Sequence, residues 1–202
     1  MPKSKEQFEQ IRNERIDIIL RCAKDLFALK GYEAVSFEEV TKLAKCSHGL
    51  IYHYFKNKEE LYEAVLNKIV YPECRKMFEG IECDKSPKEL MSNMLDKALG
   101  ILSSTDDDSI KTLYLLLNVH LQKGLSVVKK NEQGRTHLYA LVEVIISKGI
   151  KEKQFKEYDS NELTISLLSL LKGLSFTRIH IGHKRFKCPH KEVIMGILIK
   201  EE

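Results

Sequence analysis

Ser36 to Leu61 reads SFEEVTKLAKCSHGLIYHYFKNKEEL, and the reading of this stretch decides the fold. Phe37, Val40, Leu43 and Ala44 recur at helical spacing and predict an apolar face on a short first helix. Ser36 is a natural N-cap for it, and Glu39, three residues on, completes a capping box. Lys45-Cys46-Ser47 interrupts the pattern. Ser47 can cap a second short helix carrying Leu50, Ile51, Tyr52, His53, Tyr54 and Phe55, and Asn57 a third whose apolar face begins at Leu61. Two helices joined by so short a turn cross steeply, which is the shape of a helix-turn-helix.

The second helix is too short to be stable by itself. Ile51 and Phe55 stand four residues apart and can bury together, whereas Tyr52, His53 and Tyr54 cannot all follow them inward. Rings left outside, with small Gly49 and nearby Lys56 and Lys58, suit a groove lined with phosphates and base edges. An ordinary helical hairpin with aromatic packing is the competing reading of this stretch taken alone.

Upstream, residues 1 to 11 are polar, and a firm helix is predicted from Asn13 to Leu29 with Ile16, Ile19, Leu20, Ala23 and Phe27 as its stripe. Gly31 supplies a left-handed stop. This helix packs on the helix-turn-helix pair to make a three-helix module. Arg21 on its outer side is a solvated charge, while Arg12 and Arg15 either remain in solvent or approach phosphates. Downstream, a fourth helix starts at Lys58, whose ammonium beside free N–H groups makes a phosphate site. Pro72 predicts a kink, with helix resuming to Phe78 and a loop from Gly80 to Lys85. Ser86-Pro87-Lys88-Glu89 starts another helix, through Leu90, Met94, Ala98, Ile101 and Leu102. A further helix from Ile110 to Leu121 is apolar nearly all round. Residues 123–130 are less regular. Helices follow from Glu132 to Glu152, from Glu162 to Ile181 with Asp159 or Ser160 as cap, and from His190 to Lys200.

The first of these regions resembles the DNA-binding end of the TetR family of bacterial repressors. The resemblance rests on Phe27, Gly31, Tyr32, Val35-Ser36, Val40, Ala44, Ser47, Gly49, Tyr52-His53-Tyr54-Phe55, Lys58, Glu60 and Leu61, in fixed register over about residues 12 to 66. Beyond that only helical layout and length agree. The resemblance implies that Ser36 caps the second helix and touches phosphate, that Tyr52 and Tyr54 reach the DNA backbone, and that His53 faces a base edge or phosphate. It further implies that Gly49 lets the backbone come close to the duplex and that Lys58 contacts phosphate. Ser47, His48 and Leu50 complete the expected DNA-binding set. The departures are Lys45 where glycine is usual, His48 for a lysine or arginine, Leu50 for a threonine, and Cys46 for a valine. Lys45 costs on the order of 1 kcal/mol if its φ is positive. Leu50 cannot donate a hydrogen bond but can touch a thymine methyl. Cys46 reads as a small buried hydrophobe, with a redox role as the alternative.

In the same family reading, the later helices enclose an effector pocket to which Met94, Tyr114, His120 and Tyr139 contribute. On the residues alone, His120 reads first as a core histidine bonded to a carbonyl, and as a polar anchor only in the family reading. Mostly apolar walls fit a hydrophobic or aromatic effector. Ser166, Ser169, Gly173 and Thr177 lie at helical spacing with Leu170 beside them. They allow close approach of another helix, either within the chain or across a homodimer interface.

Composition narrows the classes. A chain of 202 residues with 31% charged and 43% hydrophobic residues can bury a substantial core, and no alternating pattern persists, so the chain is read as all-α. The net charge of +4 does not by itself argue for nucleic acid. Five cysteines, without a C-x-x-C pair or zinc-ligand spacing, fit a reduced, cytoplasmic chain with no metal. MPKSKEQFEQ holds no apolar signal region, and the run from Leu113 to Val119 is too short to span a bilayer, so no membrane partner is expected. No nucleophile–base pair or phosphate loop supports an enzyme, and no cofactor is implied. The expectation is a helix-turn-helix domain over 1–56 and a helical effector-binding and dimerisation domain over 57–202, with 57–79 as connecting helix. The protein would be a homodimeric repressor that binds a palindromic double-stranded DNA operator and is released by a small-molecule effector. The alternatives are a DNA-binding dimer without a ligand, or a small-ligand-binding helical protein or enzyme.

Overall fold

The computed structural model describes residues 5–78, 85–119 and 137–199. Every regular element among them is helical, so the all-α reading holds. By packing, the chain divides into two compact units, Met1–Val70 and Tyr71–Glu202. The first holds α1 (Lys5–Lys30), α2 (Phe37–Ala44), α3 (His48–Tyr54), α4 (Lys58–Val65) and a π-helical segment, Leu66–Val70. The second holds α5 (Tyr71–Phe78), α6 (Pro87–Ser103), α7 (Asp107–Val119), α8 (His137–Lys151), α9 (Ser160–Ile181) and α10 (Lys191–Met195).

The core of the first unit is built from one face of each helix. Ile19, Leu20, Ala23 and Phe27 of α1 meet Val40 and Ala44 of α2, Ile51 of α3, and Leu61, Tyr62 and Val65 of α4, all buried. Phe27, Tyr32 and Tyr62 form an aromatic hub. The Phe27 and Tyr62 rings meet edge to face at 4.9 Å, and Tyr32 lies 5.0 Å from Tyr62. Gly31, at φ +81°, ends α1, and its N–H donates to the Phe27 carbonyl.

Several local features differ from the sequence expectation. α1 begins at Lys5, not near Asn13. Its first turns bury nothing, but Lys, Glu, Gln and Arg are good helix formers, and a helix already nucleated by packing extends through them. The Gln10 amide donates to Glu14 across one such turn. On α2, Leu43 is 49% exposed, and Thr41 takes the buried place instead, its hydroxyl donating to the Glu38 carbonyl. The interruption expected at Pro72 takes the form of the π segment just before it. Proline has no N–H and crowds the carbonyl four residues back, and the wider π register gives that ring room. α10 stops at Met195, and turns follow; Val193, expected on its apolar face, is exposed. The expected loop at Gly80 to Lys85, apart from Lys85, and the stretch 123–130 lie outside the described residues.

In the second unit α7 is buried nearly all round, as its composition predicts. It packs against α6 and α9, and α8 packs on those two helices in turn, with Leu95, Leu102, Leu116, Ile146 and Leu167 buried. The α6 start carries the predicted capping box, Ser86 with Glu89, and Asp159 caps α9. One feature had no sequence signal. Arg178 is 1% exposed, and its guanidinium donates to the Ser104 carbonyl and to Asp107 Oδ1. It thereby fastens α9 to the α6–α7 turn.

Two substitutions test this packing. Gly149 lies on α8 under the buried Phe155 ring, and a Cβ there would stand 2.1 Å from Phe155 Cδ2 and 2.9 Å from Cγ. Gly149→Ala is therefore expected to destabilise by about 1–3 kcal/mol. Gly100→Ala on α6, where a Cβ meets nothing, is expected to stabilise by up to about 1 kcal/mol. Opposite shifts of the urea midpoint check the pair. Lys45 occupies the left-handed region, φ 49° and ψ 49°, at the end of α2. Lys45→Gly is expected to raise stability by up to about 1 kcal/mol, read in the same titration.

Candidate nucleic-acid interface

α3 is placed by its two ends and two anchors. Lys45 turns the chain, and the Ser47 hydroxyl accepts the Leu50 N–H at 3.2 Å. Ile51 is 0% and Phe55 6% exposed, as their spacing predicts. The remaining side chains are left at the surface. His48, Gly49, Tyr52 and His53 are exposed, and Leu50 and Tyr54 are half-buried. The Tyr52 ring leans on Phe37 of α2 at 5.0 Å, and the His53 and Tyr54 rings meet edge to face at 5.2 Å. Gly49 answers no demand of the fold, since a Cβ there meets no atom within 4 Å.

The flanking groups gather around this helix. Ser36 caps α2 in a complete capping box, accepting the Glu39 N–H while Glu39 accepts the Ser36 N–H. The Lys30 ammonium and Ser36 hold the Glu39 carboxyl below its ordinary value. Lys58, in the first turn of α4, donates from Nζ to the Glu33 carbonyl at 3.0 Å, and its ammonium sits 4.5 Å over the Tyr32 ring. The Arg12 guanidinium lies 5.8 Å from the Tyr54 ring centre, and Arg15 acts on Cys46. Of the two arginines left open by the sequence, Arg12 is thus beside α3. Burial pushes the Cys46 and Cys22 thiols up, away from the reactive thiolate.

The residues expected around an effector are not gathered together. Met94 lines a cavity of about 30 Å³ between α6, α7, α8 and α9. Tyr114 is not on that wall; it stands 6.1 Å from Phe176, and burial raises its phenol. Tyr139 is not on it either, and its hydroxyl donates to Asn161. His120 lies outside the described residues. A larger cleft, about 730 Å³, opens elsewhere in the second unit between α6 and α10, with Lys85, Lys88, Asn93, Lys191 and Met195 on its walls. No motif signals it, because its walls come from two segments, 85–93 and 191–199, that lie far apart in the chain. On α9, Ser166, Ser169, Gly173 and Thr177 all face outward with Leu170 half-buried, and Ile165, Phe176 and Ile181 are exposed around them. Among the described residues no three His, Cys, Asp or Glu side chains can hold a metal, and no helix is long and apolar enough to cross a membrane.

The chain resembles known proteins in both halves. Residues 19–65 match the family described as bacterial regulatory proteins, tetR family. The Transposon Tn10 TetC protein of Escherichia coli is 30% identical over 172 residues, covering 84% of this chain and 80% of that one. An uncharacterised HTH-type transcriptional regulator of Bacillus subtilis, YhgD, is 27% identical over 185 residues, 92% of this chain and 93% of its own. Among solved structures, the transcriptional regulator FadR of Bacillus subtilis, described in complex with stearoyl-CoA, has the same fold. Its TM-score is 0.65 at 21% identity, over 91% of this chain and 97% of that chain. On this evidence the chain belongs to the TetR family of bacterial transcriptional regulators.

Proposed function

We propose that the protein is a homodimeric repressor that lays α3 of each subunit in a major groove of a palindromic operator. The observation that carries the reading is the outer face of α3, where Tyr52, His53, His48 and Gly49 lie exposed on a helix held by two buried residues. A glycine that the fold does not require is explained by a surface that must come close. Ser36, Tyr52, Tyr54 and Lys58 set the register on phosphates, while Ser47, His48, Leu50 and His53 lie toward the base edges. Residues 1–56 read DNA; residues 57–202 bind effector and dimerise, with 57–79 as connector. The outward row Ser166, Ser169, Leu170, Gly173 and Thr177 supports pairing with the same row of a second copy. Two reading heads at fixed spacing then match a two-fold site. A small hydrophobic effector acts by favouring the conformation unable to bind DNA. The relative that holds stearoyl-CoA supports such an effector. Control without a small molecule is the second reading, favoured by the small size of the cavity.

Three variants test the interface on operator DNA selected from the source genome, by fluorescence anisotropy at several salt concentrations. Tyr52→Ala and Lys58→Ala are each expected to weaken binding about five- to tenfold, a net hydrogen bond of ~1 kcal/mol or somewhat more. Lys58→Ala should also reduce the salt slope by about one. Gly49→Ala is expected to weaken binding while leaving the urea midpoint unchanged or higher. Undiminished affinity in all three variants rules out this face as the one that meets DNA.

A further inference from the structure

We propose that Arg12 is a further backbone contact of the DNA-reading surface, its guanidinium seated on the Tyr54 ring and its N–H edge presented to a phosphate. The inference rests on the DNA-binding reading above. It adds the first half of α1 to a surface so far built from α2, α3 and the start of α4.

Two observations place the arginine there. α1 is already helical at Lys5, so Arg12 stands about two turns inside a formed helix and not in a frayed arm. Arg12 also shares a helical stripe with Ile16, Ile19 and Ala23, the side of α1 that faces the core of its unit. Ile19 and Ala23 are buried, Ile16 is half-buried and Arg12 is exposed, so the core runs out along this stripe. Where it ends, the stripe meets the last residue of α3. The Arg12 Cζ lies 5.8 Å from the centre of the half-buried Tyr54 ring.

The geometry of the pair decides what it can bind. A ring takes up the flat face of a guanidinium and leaves the N–H donors around its edge. Those donors match phosphate oxygens two at a time, which an ammonium does not. Tyr54 is itself held, since its ring meets His53 at 5.2 Å and the buried Phe55 at 6.5 Å. The guanidinium is therefore placed before DNA arrives and loses less freedom on contact. Lys58 serves from elsewhere, because its ammonium covers Tyr32, just past the C-terminal end of α1. Roughly 27 Å of helix separates Arg12 from Lys30 at that end, so the two cations meet different phosphates.

The test measures binding of the full chain to the operator and to a scrambled duplex by fluorescence anisotropy at several salt concentrations. Arg12→Ala is expected to weaken both about tenfold and to reduce the salt slope by about one, because a phosphate contact carries charge and no sequence. Arg12→Lys should keep the slope and recover only part of the affinity. Arg21→Ala, exposed on the outer side of the same helix, should leave the slope unchanged. The seat is tested by repeating Arg12→Ala in two backgrounds confirmed folded by circular dichroism. Tyr54→Phe keeps the ring and Tyr54→Leu does not. The loss is expected to stay about tenfold in the first and to fall to about threefold or less in the second.

A wild-type slope in Arg12→Ala overturns the contact, whether or not the urea midpoint moves, and so does a loss confined to the operator. Full affinity in Arg12→Lys overturns the planar fit, and equal losses in the two Tyr54 backgrounds overturn the seat. Undiminished binding in Arg12→Ala, where Tyr52→Ala and Lys58→Ala are impaired, sinks this inference alone. Undiminished binding in all three sinks the interface itself.

Discussion

A helix of seven residues does not form by itself, and α3 exists because Ile51 and Phe55 are buried. Nucleating the first turn fixes several torsions for one hydrogen bond. Two full apolar side chains taken out of water contribute about 1.5–3 kcal/mol each, enough to offset that cost. Both anchors point one way, so the intervening residues are obliged to point the other. The exposed rings of Tyr52 and His53 are thus a consequence of where the anchors lie. The same constraint explains the strain at Lys45. The turn between α2 and α3 must be tight for Ile51 to reach the core under Phe27 and Val40, and a left-handed residue there is cheaper than losing the anchor.

Lys58 links the module's parts in a way its expected phosphate contact does not describe. Its ammonium bonds the Glu33 carbonyl and covers the Tyr32 ring, so the first turn of α4 is tied to the α1–α2 connection. Tyr32 in turn packs on Phe27 and Tyr62. One of the three ammonium hydrogens is engaged by Glu33, which leaves donors for an anion without breaking the tie. A lysine held in this way loses less freedom on meeting a phosphate than one swinging in solvent.

What the sequence made legible is what depends on neighbours in the chain. Ser36, Ser47, Asn57, Ser86 and Asp159 each cap the helix that follows, because an N-cap is a local device with a fixed offset. Ile51 and Phe55 were readable for the same reason. Features requiring distant residues were not. Arg178 gives no hint in sequence that it will be buried beside Ser104 and Asp107, more than seventy positions earlier. Tyr114 and Tyr139 are amphipathic and fit a pocket wall or a surface equally well, and only the rotation of α7 and α8 decides between them. Leu43 shows the limit of periodicity, since four apolar residues cannot all share the face of an eight-residue helix when Thr41 bonds its own backbone and can replace one.

α9 carries the observations on which the proposed dimer rests. Its inner face, Leu163, Leu167, Leu168 and Leu171, satisfies the core, and the buried Thr164 and Ser175 hydroxyls bond carbonyls four residues back. On the outer face Thr177 does the same toward Gly173, so its polarity is already consumed within the helix. Around it Ile165, Phe176 and Ile181 remain 40–47% exposed, and the Phe176 ring lies tilted against His180 at 4.0 Å. Burial also pushes the Lys172 ammonium below its ordinary value, which marks the flank of this face as already partly dry. Small residues permit a close approach, and exposed large ones beside them supply the area. The dimer proposed above would cover this face with the same helix of a second copy.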